Sequence, residues 1–334
     1  MATAVEHLTE RPLTVDDAAQ IVEINREMEL AEPADEHLSM EDVVEDLTGP
    51  TKNLPHASYG LFDGESMVAY SAVSAIADGT VWKAMLDGGV RTAWIRRGLG
   101  TRVLRRAQEQ AIAWKARVAA GLNGELTMRL GQHRASTIAL AEAEGFETWR
   151  YFFRMQRDLA KPVDTAITPT GFTIRGYREG DEEAVRIARN NTFADHWGSL
   201  ETTPERWRAH LTGAKAFRPQ HSYLATFDAG PAAGSIAAFV MAEEFDAETE
   251  ARGYRTGYIA LVGTERAARG RGLASVLLAR QLISMRDDGY AYAELGVDSD
   301  SPTGAGRIYQ RAGFVELERN RAAGKRFGPD PIGG

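Results

Sequence analysis

Residues Thr148-Trp-Arg-Tyr-Phe-Phe-Arg-Met-Gln-Arg-Asp-Leu159 are rich in aromatics and partly alternate apolar with polar. That pattern predicts a strand closing a domain. The next stretch, Ala160-Lys-Pro-Val-Asp-Thr-Ala-Ile-Thr-Pro-Thr170, has two prolines, small polar residues and no helical period, which predicts a linker. Gly171-Phe-Thr-Ile-Arg-Gly-Tyr177 then predicts a strand opening a second domain. The expected organisation is a domain over 1–160, a linker over 161–170 and a domain over 171–334. In the second domain the pattern predicts strands at 172–177, 221–228, 233–242, 255–263, 291–297 and 314–319. Helices are expected at 182–192, 204–212, 273–287 and 303–312. Strands that alternate with helices in this way give an α/β or α+β domain.

The two halves carry the same signals in the same order. Asp16-Asp17 precedes the helical pattern Ala18 to Met28, and Asp181-Glu182-Glu183 precedes Ala184 to Asn191. Acidic residues suit a helix N-terminus, where the dipole is positive. Each half then has a glycine-rich basic turn opening a long helix, Arg96-Arg97-Gly98-Leu99-Gly100-Thr101 and Arg269-Gly270-Arg271-Gly272-Leu273-Ala274. Each later ends a helix in Gly-Phe, at Gly145-Phe146 and Gly313-Phe314. Gly98 and Gly272 are 174 apart, and Gly145 and Gly313 are 168 apart. Landmarks repeated in order at nearly constant offset indicate a duplicated domain.

Bulk properties narrow the function. The 334 residues suit two domains, and 43% hydrophobic with 26% charged residues is ordinary for a globular protein. Absence of cysteine removes disulfides, thiolate metal sites and cysteine nucleophiles. A formal charge of -8 gives no general attraction to nucleic acid or anionic lipid. No secretory signal and no apolar run of spanning length is visible, so a cytoplasmic protein without a membrane or nucleic-acid partner is expected. The histidines show no metal-ligand spacing, and no metal is expected.

The basic turn suggests chemistry. The apolar strand Tyr258–Thr264 feeds Arg269–Ala274, and Ser275 continues into a helix. Free N–H groups at a helix start attract anions, glycines admit close approach, and successive N–H groups form a nest. Arg269 and Arg271 add positive charge, so a phosphate or pyrophosphate is the natural ligand. Neither a P-loop nor the three-glycine dinucleotide fingerprint is present.

On these residues the chain resembles the GNAT superfamily of N-acetyltransferases, whose signature is Arg/Gln-x-x-Gly-x-Gly/Ala. Arg269 to Ala274 matches it in full. The first copy differs only at the lead position, Ile95, with Arg96 to Gly100 following. A late helix ending Tyr-x-x-x-Gly-Phe is the second landmark, and Tyr309 with Gly313-Phe314 fits it. The first copy has Ala141 in the tyrosine's place. The resemblance implies two tandem domains, each a mixed, mostly antiparallel sheet flanked by helices. It implies acetyl-CoA as co-substrate, held by Leu261, Val262, Gly263 and Thr264 of the strand and by residues 269–275. Arg96, Arg97, Gly98, Leu99, Gly100 and Thr101 would form a second such turn.

Tyr309 would be the acid that protonates the departing thiolate. A backbone N–H near Val262 to Thr264 would stabilise the oxyanion. For the base, Glu243 and Glu244 are candidates, and Glu244 is taken as catalytic. Asp195, His196 and Trp197 lie where the acceptor pocket is expected. The acceptor is expected to be a small-molecule primary amine. Acyl-CoA binding without turnover, or transfer to a peptide or protein, are the alternatives. Tandem members of the superfamily include actinobacterial mycothiol synthase-like proteins and proteins of antibiotic pathways, clavulanic acid among them. A glutamate base aligned with Tyr258 is absent here, which argues against mycothiol synthase itself.

Overall fold

A computed structural model describes Val5 and residues 7–77, 79–165, 167–194, 196–300 and 304–329. In chain order the elements are β1 (Thr9–Arg11), α1 (Ala18–Ala31), α2 (Met40–Thr48), α3 (Leu54–Ala57), β2 (Ser58–Asp63) and β3 (Ser66–Ala77). Next come β4 (Val81–Val90), α4 (Leu99–Val118), β5 (Asn123–Leu130), α5 (Ala135–Ala143) and β6 (Glu147–Asp158). The second half has β7 (Phe172–Gly176), α6 (Glu182–Phe193), α7 (Pro204–Trp207), β8 (Tyr223–Phe227), β9 (Ile236–Glu243) and α8 (Asp246–Arg252). It ends with β10 (Thr256–Thr264), α9 (Leu273–Asp287), β11 (Tyr292–Asp298), α10 (Ala305–Arg311) and β12 (Val315–Phe327). The fold is mixed α/β with predominantly antiparallel pairing.

The chain forms two compact units, but they do not divide at the proline-rich linker. Unit 1 is Met1–Arg150 with Asn320–Gly334, and unit 2 is Tyr151–Arg319. In unit 1, β1 to β4 pair antiparallel in sequence order, β4 pairs parallel with β5, and the end of β12 pairs antiparallel with β5 from Arg321↔Leu130 to Phe327↔Gly124. In unit 2, β7 to β10 pair antiparallel, β10 pairs parallel with β11, and β6 pairs antiparallel with β11 from Phe152↔Asp298 to Asp158↔Tyr292. Each sheet is therefore completed by a strand from the opposite half of the sequence. The aromatic strand 148–159 is a strand as expected, but it joins the second unit rather than closing the first.

The elements follow from their side chains. β9 is buried from Ile236 through Ala242 because helices cover both faces. A continuous apolar run, not an alternating one, is what such a strand requires. On one face, β11's Ala293, Leu295 and Val297 pack with Leu278, Leu282 and Met285 of α9 and with Phe314. On the other, Phe239 and Met241 pack with Val185 and Ala188 of α6. Each such Leu, Val or Phe contributes roughly 1.5–3 kcal/mol on burial. Unit 1 repeats the arrangement, with Trp82, Ala84 and Leu86 of β4 against Leu104, Ala107 and Ala111 of α4.

The Gly-Phe landmarks have a packing reason. Gly313 has φ +86, and a Cβ there would lie 1.8 Å from Nη1 of Arg157 in β6. That guanidinium donates to the carbonyls of Ala312 and Pro162, so glycine lets the arginine tie β6 to the end of α10. In unit 1, Lys325 of β12 approaches Gly145 and lies 4.7 Å from the Phe146 ring centroid.

Two expected elements differ. The last strand runs to Phe327 rather than 319, because its C-terminal part pairs with β5. The helix expected at 204–212 spans those residues, but its winding changes from α-type in α7 to π-type over Arg208–Thr212.

Candidate active site

The glycine turns take the same backbone shape in both units. Gly270 and Gly272 have φ +75 and +81, and Gly272 caps α9. Nothing lies within 4 Å of where a Cβ would stand at either glycine, so the turn is open to a ligand. In unit 1, Arg96 and Gly98 have φ +60 and +80, and Gly98 caps α4. Arg96 thus holds a left-handed conformation that ordinary residues adopt only at some cost. The lead residue of the turn also has a bracing role. The Arg269 guanidinium donates to the carbonyls of Thr264 (3.2 Å) and Thr192 (3.4 Å), bracing the turn against β10 and α6. Ile95 in unit 1 has no such donor and is exposed. Arg97 instead stacks on Trp94 at 4.7 Å, and Arg271 lies 5.5 Å from the Phe172 ring.

The strand ahead of the turn opens a gap. Parallel pairing of β10 with β11 covers Thr256↔Tyr292, Gly257↔Ala293 and Tyr258↔Glu294, and goes no further among the described residues. On its other side β10 changes register against β9 between Ile259 and Leu261. Such a bulge increases local twist and turns the strand away from its neighbour. Leu261 to Thr264 therefore present backbone groups on an edge not engaged by β11. Gly263 is needed there, because a Cβ would lie 2.3 Å from the Phe239 ring.

Three side chains face this gap or its approach. Tyr309 is buried, with its ring 6.1 Å from Phe314. Burial and the nearby Tyr258 push its hydroxyl up to about 12. Tyr258 lies edge-on to Phe245 at 6.0 Å, and its hydroxyl passes close to Gly296 of β11. Glu243 is the direct cross-strand partner of Tyr258. Cross-strand partners project to the same face of a sheet. Desolvation pushes the Glu243 carboxyl up to about 7.

Glu244, taken from the sequence as catalytic, is a structural anchor instead. Its carboxylate accepts from Arg255 (2.7 and 3.0 Å), Arg218 (2.9 Å) and the Tyr290 hydroxyl (2.7 Å). Burial opposes its charge, but these hydrogen bonds outweigh it and hold the carboxyl at about 2. A carboxylate so stabilised is a poor proton acceptor near neutral pH. The adjacent Glu243 is desolvated as well, and no counter-charge offsets it.

Asp195 lies outside the described residues. His196 stacks on Phe193 of α6, with centroids 4.6 Å apart, and Trp197 is partly exposed, 6.3 Å from Phe152 of β6. They form an aromatic stretch just beyond α6.

Unit 1 carries other side chains at these places. Trp82 packs against Trp114 of α4 as Gly257 lies against Met285 of α9. Counting one residue on, the place of the Tyr258–Glu243 pair is taken by Lys83 and Ile76. Lys83 is 3.8 Å from Glu125, its parallel partner. β4 pairs with β3 from Ala69↔Val90 to Ala77↔Trp82 without a bulge. Ala141 accepts the Phe146 N–H as Tyr309 accepts that of Phe314, so these two positions correspond.

The model of the acetyltransferase (GNAT) family matches residues 184–314. The chain is similar to the mycothiol acetyltransferase of Thermomonospora curvata, with 29% identity over 315 residues, 92% of this chain and 95% of that protein. It is also similar to the mycothiol acetyltransferase of Salinispora tropica, 29% over 290 residues and 85% and 84% of the two chains. A GCN5-related N-acetyltransferase from Sphaerobacter thermophilus shares the fold with a TM-score of 0.73 and 24% identity, covering 97% and 98% of the two chains. A tandem GNAT protein from the clavulanic acid biosynthesis pathway shares it with a TM-score of 0.72 and 17% identity, covering 97% and 100%.

Proposed function

We propose that residues 184–314 are a GNAT acetyltransferase domain, that the chain is an acetyl-CoA-dependent acetyltransferase, and that unit 2 transfers acetyl directly to the primary amine of a small molecule. The observation that carries this reading is the grouping of Glu243, Tyr258 and Tyr309 around the β10–β11 gap. Unit 1 has Ile76, Lys83 and Ala141 in those places. Unit 1 is accordingly the non-catalytic partner.

The turn Arg269–Ser275 binds the pyrophosphate through backbone N–H groups at the start of α9, with Arg271 adding charge. The open edge of β10 from Leu261 to Thr264 holds the thioester arm and offers an N–H to the carbonyl oxygen as charge develops. Glu243, directly or through one water, takes a proton from the amine nitrogen as the neutral amine attacks. The amine nitrogen bonds to the acetyl carbon, the carbon–sulfur bond breaks, and Tyr309 gives its proton to the sulfur. A tyrosine held near 12 stays protonated across the working range, which suits an acid.

The similarity to mycothiol acetyltransferases makes a mycothiol-related amine the first acceptor to assay. Tyr258 occupies the place where a glutamate base is expected in such enzymes, but Glu243 returns a carboxylate to that place from the neighbouring strand. His196 and Trp197 would contact the acceptor from above the gap. Release of free thiol from acetyl-CoA, with mass detection of the acetylated amine, tests the reading. Tyr309→Phe should lower kcat by about 10²–10⁴-fold while acetyl-CoA affinity stays within about threefold. An unchanged kcat would remove Tyr309 as the acid.

A further inference from the structure

Unit 1 has a gap between its parallel strands as unit 2 does, but lines it with charge. β4 and β5 pair through Met85↔Thr127, and two residues beyond, Asp87 and Arg129 stand on the two strands facing the same side. Three residues before its end β4 carries Asp87, where β10 carries Leu261. Both Asp87 and Arg129 are solvent-exposed, and Arg129 makes no hydrogen bond or ion pair among the described residues.

Further charges gather there from α1, α2 and the loops. The Lys52 ammonium is buried 2.8 Å from Asp46, and Lys52 bridges to Ser74 of β3. Arg134 is nine-tenths buried, and its Nη2 donates to Glu29 at 2.8 Å and reaches Glu36 at 3.6 Å. Its Nη1 is buried with no partner. A buried unpaired guanidinium nitrogen is costly, which marks it as a donor awaiting an acceptor. Asp87 is held above its ordinary value chiefly by desolvation, against Lys52 and Arg129 and with Asp46. Glu36 is raised the same way, mainly by burial, with Arg134 opposing. Electrostatic coupling among Asp87, Glu36, Arg129 and Arg134 makes them one cluster.

The cluster offers under-satisfied groups of both signs. We propose that this cleft of unit 1 binds a small zwitterion of the α-amino-acid type, with its ammonium held by Asp87 and Glu36 and its carboxylate by Arg129 and Nη1 of Arg134. The unit that lacks the acid and base of transfer would then be a ligand-binding module for a compound separate from the acetyl donor.

Calorimetric titration of the full chain with the twenty standard L-amino acids tests this. The amine lacking the carboxylate and the N-acetyl derivative of each serve as analogues. At least one amino acid should bind, and both of its analogues should bind about tenfold or more weakly. Asp87→Asn and Arg129→Gln, both exposed positions, should each weaken binding by about tenfold or more with the thermal transition retained. Glu243→Gln should leave this binding intact, which separates it from acceptor binding in unit 2. Absence of binding by every amino acid would overturn the proposal. So would affinity unchanged in both unit 1 variants, or analogues that bind as tightly.

Discussion

Replacing Glu243 with glutamine should make the protein more stable and nearly inactive at the same pH. The carboxyl is displaced from an ordinary 4.5 to about 7 because the surrounding protein desolvates it without providing a counter-charge. At about 1.4 kcal/mol per pH unit, ionising it in the folded state costs about 3 kcal/mol. The sign follows from the raised value. Below pH 4.5 the group is neutral in both folded and unfolded chains and carries no penalty. Between 4.5 and 7 the unfolded chain loses the proton first, so stability falls, and above 7 the full penalty applies. Glu243→Gln should therefore raise the unfolding free energy by up to about 3 kcal/mol near pH 8 and by little near pH 4. Urea melts at the two pH values measure this. For activity, a base with this value is about one-tenth ionised near pH 6 and about nine-tenths near pH 8, so kcat at saturating amine should rise roughly tenfold. The glutamine variant should lose about 10²–10⁴-fold near pH 8 and lose the pH dependence. A wild-type kcat flat between pH 6 and 8, or a glutamine variant within about threefold of wild type, would refute the assignment.

Other positions give structural tests. Glu244→Gln should destabilise the protein by about 3–5 kcal/mol near pH 7, because it leaves Arg218 and Arg255 facing a neutral group. Glu244 is held at about 2, so its contribution is full above 4.5 and lost as pH falls toward 2. Melts near pH 7 and pH 3 should show the gap between wild type and variant narrowing. Gly313→Ala should cost about 2–4 kcal/mol, from a left-handed φ of +86 and from displacement of Arg157. A thermal melt unchanged by this substitution would show that Arg157 does not need the space.

The landmarks legible in the sequence were those set by local backbone chemistry. The turns at Gly98 and Gly272, the starts of α4 and α9, and the Gly-Phe ends each need a left-handed residue or a cap, and the chain states that need locally. The buried run of β9 and the early acidic residues before α6 were legible for the same reason. The exchange of β6 and β12 between units was not, because an alternating strand carries no mark of which sheet it joins. The different environments of Glu243 and Glu244 were not legible for a related reason. They differ by one residue at a strand end, and their environments come from Arg218, Arg255, Tyr258 and Tyr290, all distant in sequence. Nor did the bulge beside Ala260 leave a Gly or Pro to announce it. The charged gap of unit 1 was unread because Asp87, Arg129 and Arg134 look like solvated residues until β4 and β5 are placed side by side.

The most direct measurement is a calorimetric titration of acetyl-CoA into wild type, Gly272→Glu and Gly98→Glu, followed by thiol-release assays on all three. A glutamate at either turn adds bulk, negative charge and strain at φ near +80. The predicted result is that wild type binds, that Gly272→Glu loses a site together with all transfer, and that Gly98→Glu retains transfer. Wild type that binds no acetyl-CoA, or a Gly272→Glu variant that still transfers acetyl at the wild-type rate, would contradict placement of the reaction in unit 2.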